Sequence, residues 1–555
     1  MIFSLCVLFV SDIKRQRFTS QTIGKFDLYT PKDVEVDISD LRSNKIKIQE
    51  GMIITFNNEK KDFLDSIFEE EINKVLSYKR NALKLGEGFV GEDVQAELTY
   101  DMAIARWNVV PYQKINSSFS FGVVAFHHSG ISYVEISANG GEPLKISSPE
   151  YNQRTNTIEY MCNVNVPPGY DGKIEIRAKA IPMNGDVRYL EPMYLFGEKK
   201  DTKVIYVSSK RGENLPGEVY TSLADALENV SEAGRIILMK PGSYLLKTSE
   251  MNRAKRELGH RWITIQPSEG LNRRDVVLSM SNGDEDLEYP MPQLKLHNLS
   301  LDVSSVRQVS ANLQQKLWID QCLLFESKES ILKSNNSSTL VEGKGLHGCY
   351  ATKSTARNVL YGFTGLNLVR NCYMENIKKD TLKNSKMVVN CHIQKMSGDI
   401  LERESNIFNY SGDHDNVIVY GVLAKEINEA QNFLFDHKKS DFRNMAFVNI
   451  LIENTDADVP YSQFSSESGH VLFYHVASLH QNFLFREDHE DGHKFVSHGH
   501  YFRNSMFGEV GFINSEGNSG ALPENVFFEE CHVQKGQVFR GITSGEYDFS
   551  YIGKR

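Results

Sequence analysis

The chain has 555 residues, with 62 basic against 72 acidic side chains, a net charge of −10 and 40% hydrophobic content. This is ordinary globular composition, which excludes a disordered polymer and leaves room for roughly two to four domains. The acidic balance excludes a nucleic-acid wrapper, because such proteins gain affinity by neutralising phosphates, and it disfavours docking on an anionic membrane.

The chain opens on an apolar run, Met1 to Val10, followed by Lys14 and Arg15. A secretory signal carries its basic residues before the apolar stretch, and the run is too short to span a bilayer, so it reads as a first strand. Lys45–Gln49 and Met52–Phe56 read as further short strands. Asn57-Asn58 then offers an N-cap, and Phe63, Ile67, Ile72, Val75 and Leu76 follow at helical spacing between Glu59 and Arg80. Residues 1–102 are therefore expected to form a small N-terminal α+β region for attachment or oligomerisation.

Residues 103–198 change character. Ile158, Tyr160, Cys162, Val164 and Val166 alternate as a half-buried strand does, and so do Ile174, Ile176 and Ala178 after Asp171-Gly172. Val134 and Ile136 alternate before the turn Asn139-Gly140-Gly141. Short strands with turn signals between them predict a β-sandwich. The segments Ile104–Gln113 and Phe121–Gly141 resemble an immunoglobulin-like module that precedes a β-helix in uncharacterised proteins of marine phages and environmental bacteria. The resemblance implies no activity.

From Lys203 a strand (Val204–Val207), a short helix (Leu223–Leu227), a second strand (Arg235–Leu238) and the turn Pro241-Gly242-Ser243-Tyr244 follow in order. This opening resembles the first coils of the pectin-lyase-like superfamily, which implies a right-handed parallel β-helix over 199–555 with the helix capping its open end. Internal repeats support a solenoid. Asn371, Cys372, Met374, Ile377, Asp380 and Leu382 recur as Asn390, Cys391, Ile393, Met396, Asp399 and Leu401, all shifted by 19 (390 − 371). Strand-like runs continue from Trp262–Gln266 through Val359–Phe363 to Asn525–Phe528. Asn or Gln precedes an inward Cys at Gln321-Cys322, Asn371-Cys372 and Asn390-Cys391, so stacked amides are expected at coil corners. The seven cysteines are odd in number, and most sit in apolar runs, which predicts buried thiols rather than bridges. The fold class is all-β: a sandwich, then a solenoid.

Gln431–Phe435 recurs as Gln481–Phe485, shifted by 50 (481 − 431), and Phe442-Arg443-Asn444 as Phe502-Arg503-Asn504, shifted by 60 (502 − 442). The ten extra residues fall in Arg486–Tyr501, a stretch crowded with histidine and acid. Seven of the 16 histidines lie between His470 and His500. His498-x-His500 would place two imidazoles on one strand face, as ligands for a divalent metal ion. His489, His493 and Tyr501 are the candidates for glycan binding. His470, His475 and His480 alternate faces at five-residue spacing and are not expected to converge. Among acids, Asp399, Asp413 and Asp415 are the candidate catalytic carboxylates, since glycoside hydrolases use such pairs. The same stretches also read as solvated loops, and Asp399 as a turn residue.

Three functions fit this layout. The first is a virion-associated structural protein, like a phage tail spike or fibre, whose β-helix faces a host-surface polysaccharide, with a homotrimer and other virion proteins as the expected partners. The second is a polysaccharide lyase or glycoside hydrolase. The third is a bacterial surface adhesin. Each places the protein on a virion or outside the cell, with no nucleic-acid partner and no membrane insertion.

Overall fold

The computed structural model describes strands at 2–8, 31–37 and 53–56, residues 82–86, most of 98–197, most of 203–302, short segments between 308 and 343, and most of 349–544. The N-terminal apolar run does form a strand, Ile2–Leu8, pairing antiparallel with Pro31–Asp37 and Ile53–Phe56. The amphipathic helix expected over 59–80 lies outside the described residues, as does the strand expected at Lys45–Gln49.

Residues 82–197 build two antiparallel-rich sheets of five and six strands. The alternation read from the sequence falls on Thr157–Asn165, Lys173–Pro182 and Ile131–Ala138. Their inward residues, with Phe121 and Val123, form one buried core between the sheets. The chain enters this sandwich at Ala82–Leu83, which pairs with Asn163–Val164, upstream of residue 103.

From Val204 to Ser544 the strands of one 23-stranded sheet pair in parallel throughout, which is the signature of a parallel β-helix and excludes an ordinary two-sheet antiparallel protein. The helix Leu223–Asn229 closes its first coil. Ser222 caps the helix by accepting from Asp225 N–H, and Leu223, Ala226 and Leu227 face the solenoid core. The 19-residue repeat is one coil: Val369 pairs with Val388 (388 − 369). Other coils are longer, such as Val419 to Phe447, 28 residues on (447 − 419). Inward positions stack. Phe447, Phe473 and Phe502 lie 5.1 and 4.7 Å apart, each pair at 8°. The five cysteines of the solenoid are buried thiols, as expected. Val359–Phe363, expected as a strand, is not one at its described residues. Val359 and Phe363 nevertheless fill the core.

From Asn298 onward the coils turn a corner through one residue with left-handed backbone. Asn298, Gln321, Asn371, Asn390, Asn449 and Asn504 have φ between 50 and 57°, except Asn504 at 47°. A side chain in this region costs roughly 1–2 kcal/mol, least for Asn, which bonds locally. Here Asn390 Nδ2 donates to Asn371 Oδ1 at 2.8 Å, so the expected amide ladder exists and has a backbone cause. A second corner runs Asn416, Asn444, His470, Gly499 and Asn525, all at positive φ.

The two copies of Phe-Arg-Asn sit at different corners. Phe442 shares its coil position with Ser468, which bridges to Ser497, whereas Phe502 aligns with Phe473. Both copies share one local shape, with an inward Phe, an outward Arg and a left-handed Asn. The true excess over the Phe435–Phe442 connection is therefore five residues, since Phe485 to Ser497 spans 12 (497 − 485) and Phe435 to Phe442 spans 7 (442 − 435).

We expect Asn371→Ala to destabilise the protein by about 1–3 kcal/mol, from left-handed strain plus the lost amide bond, and Asn371→Gly to cost less than half of that. Denaturant midpoints of the full-length variants check this.

Candidate functional site

The sandwich lies along the solenoid rather than beyond its end. A third apolar core joins them, with Ile104, Val110, Tyr112, Val124 and Phe196 on one side and Trp318, Tyr350, Leu368, Met387, Ile418, Ala446 and Leu472 on the other. The solenoid residues form one outward column, traced by register from Trp318–Tyr350 through Ala446–Leu472. Outward-facing residues of a solenoid sheet are normally polar, so an apolar column needs a cover.

Polar contacts fix the docking. Trp262 Nε1 donates to Pro111 O at 2.7 Å, and Arg370 Nη1 donates to Asn108 O at 2.6 Å. The second corner ladder meets the sandwich edge strand Ile104–Trp107 and the residues before it. Asn416 accepts from Ala105 N–H at 2.8 Å and donates to Ala105 O at 2.9 Å. Asn444 accepts from Met102 N–H at 3.1 Å and donates to Thr99 O at 2.8 Å. Corner amides thus stand in for a neighbouring strand and satisfy an edge that would otherwise lack partners.

At the next corner the residue is His470, and it meets the sandwich loop His127–Gly130. His470 Nδ1 lies 3.0 Å from Asn444 Oδ1, and His470 Nε2 accepts from His128 N–H at 3.3 Å. Ring centroids separate by 4.4 Å for His127–His128, 4.3 Å for His127–His470 and 5.2 Å for His128–His470. Asp101 Oδ1 approaches both His127 Nε2 and His128 Nδ1 to 3.3 Å. Burial holds all three imidazoles below the usual histidine range, reinforced in His127 and His470 by the neighbouring rings, and pushes His470 down to about 2. The cluster therefore presents neutral imidazoles beside a carboxylate.

The apolar column leaves the sandwich's cover just past this loop. Leu472 aligns with Tyr501 and Tyr501 with Phe527. Tyr501 stacks on His128 at 4.3 Å and on Phe527 at 5.1 Å, and Phe527 is 49% exposed. The loop, the histidine cluster and this aromatic step form one continuous site.

The residues singled out in the sequence fall unevenly around it. Tyr501 is in the site. His498 is exposed and stacks on Tyr100 at 4.1 Å. His500 is fully buried, with Nε2 3.0 Å from Ser468 Oγ and Nδ1 2.7 Å from Ser497 Oγ. The fold thus turns the two imidazoles to opposite sides, and both His500 nitrogens are already engaged by hydroxyls. Asp415, expected to be catalytic, is an anchor: it receives Arg188 Nη1 at 2.8 Å and Nη2 at 3.0 Å, and Asn444 Nδ2 at 2.8 Å. Its lone pairs are taken up in holding the sandwich to the solenoid. Asp413 is exposed and accepts from Asp441 N–H at 2.9 Å. Asp399, His489 and His493 lie outside the described residues.

Sequence reading missed Asp101, His127 and His128, and weighed His470 only against His475 and His480. Spacing within one solenoid strand cannot reveal a partner loop 342 residues away. The adjacent pair His127-His128 before Ser129-Gly130, at the end of an apolar strand, was the available signal.

No family model matches the chain, and neither does any curated protein. Among solved structures, a pectin methylesterase from Erwinia chrysanthemi is similar at 12% identity and TM-score 0.19, covering 64% of this chain and 98% of that one. A pectate lyase from Pectobacterium carotovorum is similar at 9% identity and TM-score 0.14, covering 80% and 100%. A polysaccharide deacetylase from Bacillus cereus is similar at 10% identity and TM-score 0.14, covering 37% of this chain and 62% of that one, less than two thirds of its length. Likenesses of this size carry no argument; the parallel β-helix is read from its strand register.

His500 gives a pH dependence. Burial pushes its folded value down to about 3, so below pH ~6.5 the unfolded chain binds a proton that the folded chain does not. The stability it contributes is present above that pH and declines as pH falls towards 3, by up to about 1.4 kcal/mol per pH unit. His500→Asn should flatten the stability–pH slope between pH 6 and 4 by about that amount, measured by denaturation at each pH.

Proposed function

We propose that the protein recognises a surface polysaccharide, with the aromatic step from part-buried Tyr501 to half-exposed Phe527 as its sugar platform. The observation that carries this reading is the end of the outward apolar column. The sandwich buries it as far as Leu472, and it then emerges as two stacked rings, the second half exposed. An exposed aromatic face packs against the C–H face of a pyranose and excludes water there, and exposed apolar steps of this kind mark binding surfaces. Arg503 and Glu529, paired at 2.6 Å beside the rings, supply a polar rim for hydroxyl groups. In this reading the protein is carried on a virion, as a spike or fibre is, with other virion proteins as its attachment partners and three copies assembling about the solenoid axis.

The anchoring role of Asp415 supports recognition over cleavage by the Asp413–Asp415 pair, because a carboxylate bound by a guanidinium at two atoms is neither a free base nor a nucleophile. We expect binding to a panel of bacterial and algal polysaccharides, and about a tenfold loss in affinity for Phe527→Ala, equivalent to ~1.4 kcal/mol. The panel is read by affinity and by product release together. Release of unsaturated or reducing sugar ends would replace recognition by lyase or hydrolase action, and equal affinity of wild type and variant would remove the platform. Mass spectrometry of purified virions and the mass of the particle in solution test the setting.

A further inference from the structure

We infer that Asp101, His127, His128 and His470 form a binding site for one divalent transition-metal ion of the zinc type, which clamps the sandwich to the solenoid. Four potential ligand atoms, one from each residue, all lie within 4.8 Å of one another. Three nitrogens and one carboxylate oxygen are a tetrahedral donor set, which suits zinc and related borderline cations better than magnesium or calcium. A tetrahedron with ~2.1 Å bonds has edges of about 3.4 Å. Asp101 Oδ1 already lies 3.3 Å from His127 Nε2 and from His128 Nδ1, so closure needs side-chain adjustment and no new backbone path.

Three further observations point at a ligand. His128 Nδ1 is buried and makes no hydrogen bond, although Asp101 Oδ1 approaches it to 3.3 Å, the spacing of two ligands around one ion. His470 is oriented from behind, as metal-bound histidines are: Asn444 Oδ1 takes the Nδ1 proton, Asn444 Nδ2 is committed to Thr99 O and Asp415, and Nε2 faces the other rings, its lone pair held at 3.3 Å by His128 N–H, a long contact that an ion would replace. His127 Nδ1 accepts from Ser129 N–H at 3.1 Å and Nε2 lies 3.3 Å from Asp101 O, so binding at Nε2 moves the ring proton to Nδ1, where Ser129 Oγ, 2.8 Å away and donating its own proton to Asn184 O at 2.8 Å, takes it in place of the Ser129 N–H contact. An ion at Nε2 selects the Nδ1–H form. Gly185 keeps the space open. A Cβ there would stand 2.7 Å from His127 Nε2 and 2.8 Å from Asp101 O.

Three ligands come from the sandwich side and one from a coil corner, so the ion binds only the docked arrangement and stabilises it by mass action. The ion site borders the sugar platform, since His128 serves the ion through Nδ1 and stacks on Tyr501 through its face, but its ligands do not rest on that reading.

The test uses the full chain, stripped with a chelator and dialysed. Zinc titrated against a chromophoric indicator should give one tight equivalent, and cobalt(II) should give the intense visible bands of tetrahedral coordination. His470→Asn keeps the corner, since Asn occupies it at positions 416 and 444, and His128→Ala removes one ligand together with the ring that stacks on Tyr501. Each should weaken zinc binding at least 100-fold and abolish the cobalt bands and the zinc-dependent rise in melting temperature, while both chains stay folded. Absence of a tight equivalent in the wild type overturns the site. Tight binding that survives His470→Asn but disappears when His489, His493 and His498 are replaced together also overturns it, and moves the ion to the histidine-rich stretch.

Discussion

Everything in this molecule hangs on the left-handed corner. A parallel coil must change direction between its sheet faces within one or two residues, and a single positive φ does so at the least expense in chain length. Asparagine tolerates that backbone and brings an amide with a donor and an acceptor. Stacked coil on coil, the amides bond to one another along the axis, as Asn390 does to Asn371. At the second corner the same amides turn outward and bond to another module. Asn416 and Asn444 treat Ala105, Met102 and Thr99 as a further strand. His470 occupies the same corner with the same backbone, so a position that begins as a turn becomes the meeting point of three imidazoles.

The outward apolar column is the second constraint. Ile418, Ala446 and Leu472 are fully buried although they point away from the solenoid interior. Exposed, such a stripe would invite association; covered by Ile104, Val110 and Val124, it becomes a core shared between modules. Arg188 and Asp415 pair at its margin with little water around them, a costly arrangement unless both charges remain matched. Buried Lys386 lies close by, and desolvation pushes it down to about 8. The charges at this margin serve assembly.

The repeating part of the architecture was legible because its causes are local. Alternation placed the sandwich strands at Thr157–Asn165 and Lys173–Pro182, and the 19-residue match fixed one coil at Val369–Val388. The Asn–Cys pairs pointed to the corner, since one residue bends the chain and the next turns inward. The docking was not legible. Nothing near Leu472 or Ala446 says whether an apolar outward residue is covered or exposed. Phe-Arg-Asn misled for a related reason: its two copies share a local shape while occupying different corners, so sequence offset overstated the inserted length. The site followed the same pattern. Tyr501 was found from its aromatic character, whereas His127, His128 and Asp101 come from a segment whose relation to His470 exists only in three dimensions.

The lateral position of the sandwich has a consequence for how the molecule holds together. A free solenoid is a one-dimensional stack in which each coil feels only its neighbours, so it can fray from either end or open in the middle. Here a single rigid body touches coils from Trp262 to Tyr501. It works as a splint: to open any coil between those points, the chain must also peel the sandwich from all the others. Cooperativity that the repeats lack by themselves is imposed from the side, and the terminal coils beyond the splint are left as the part free to yield first.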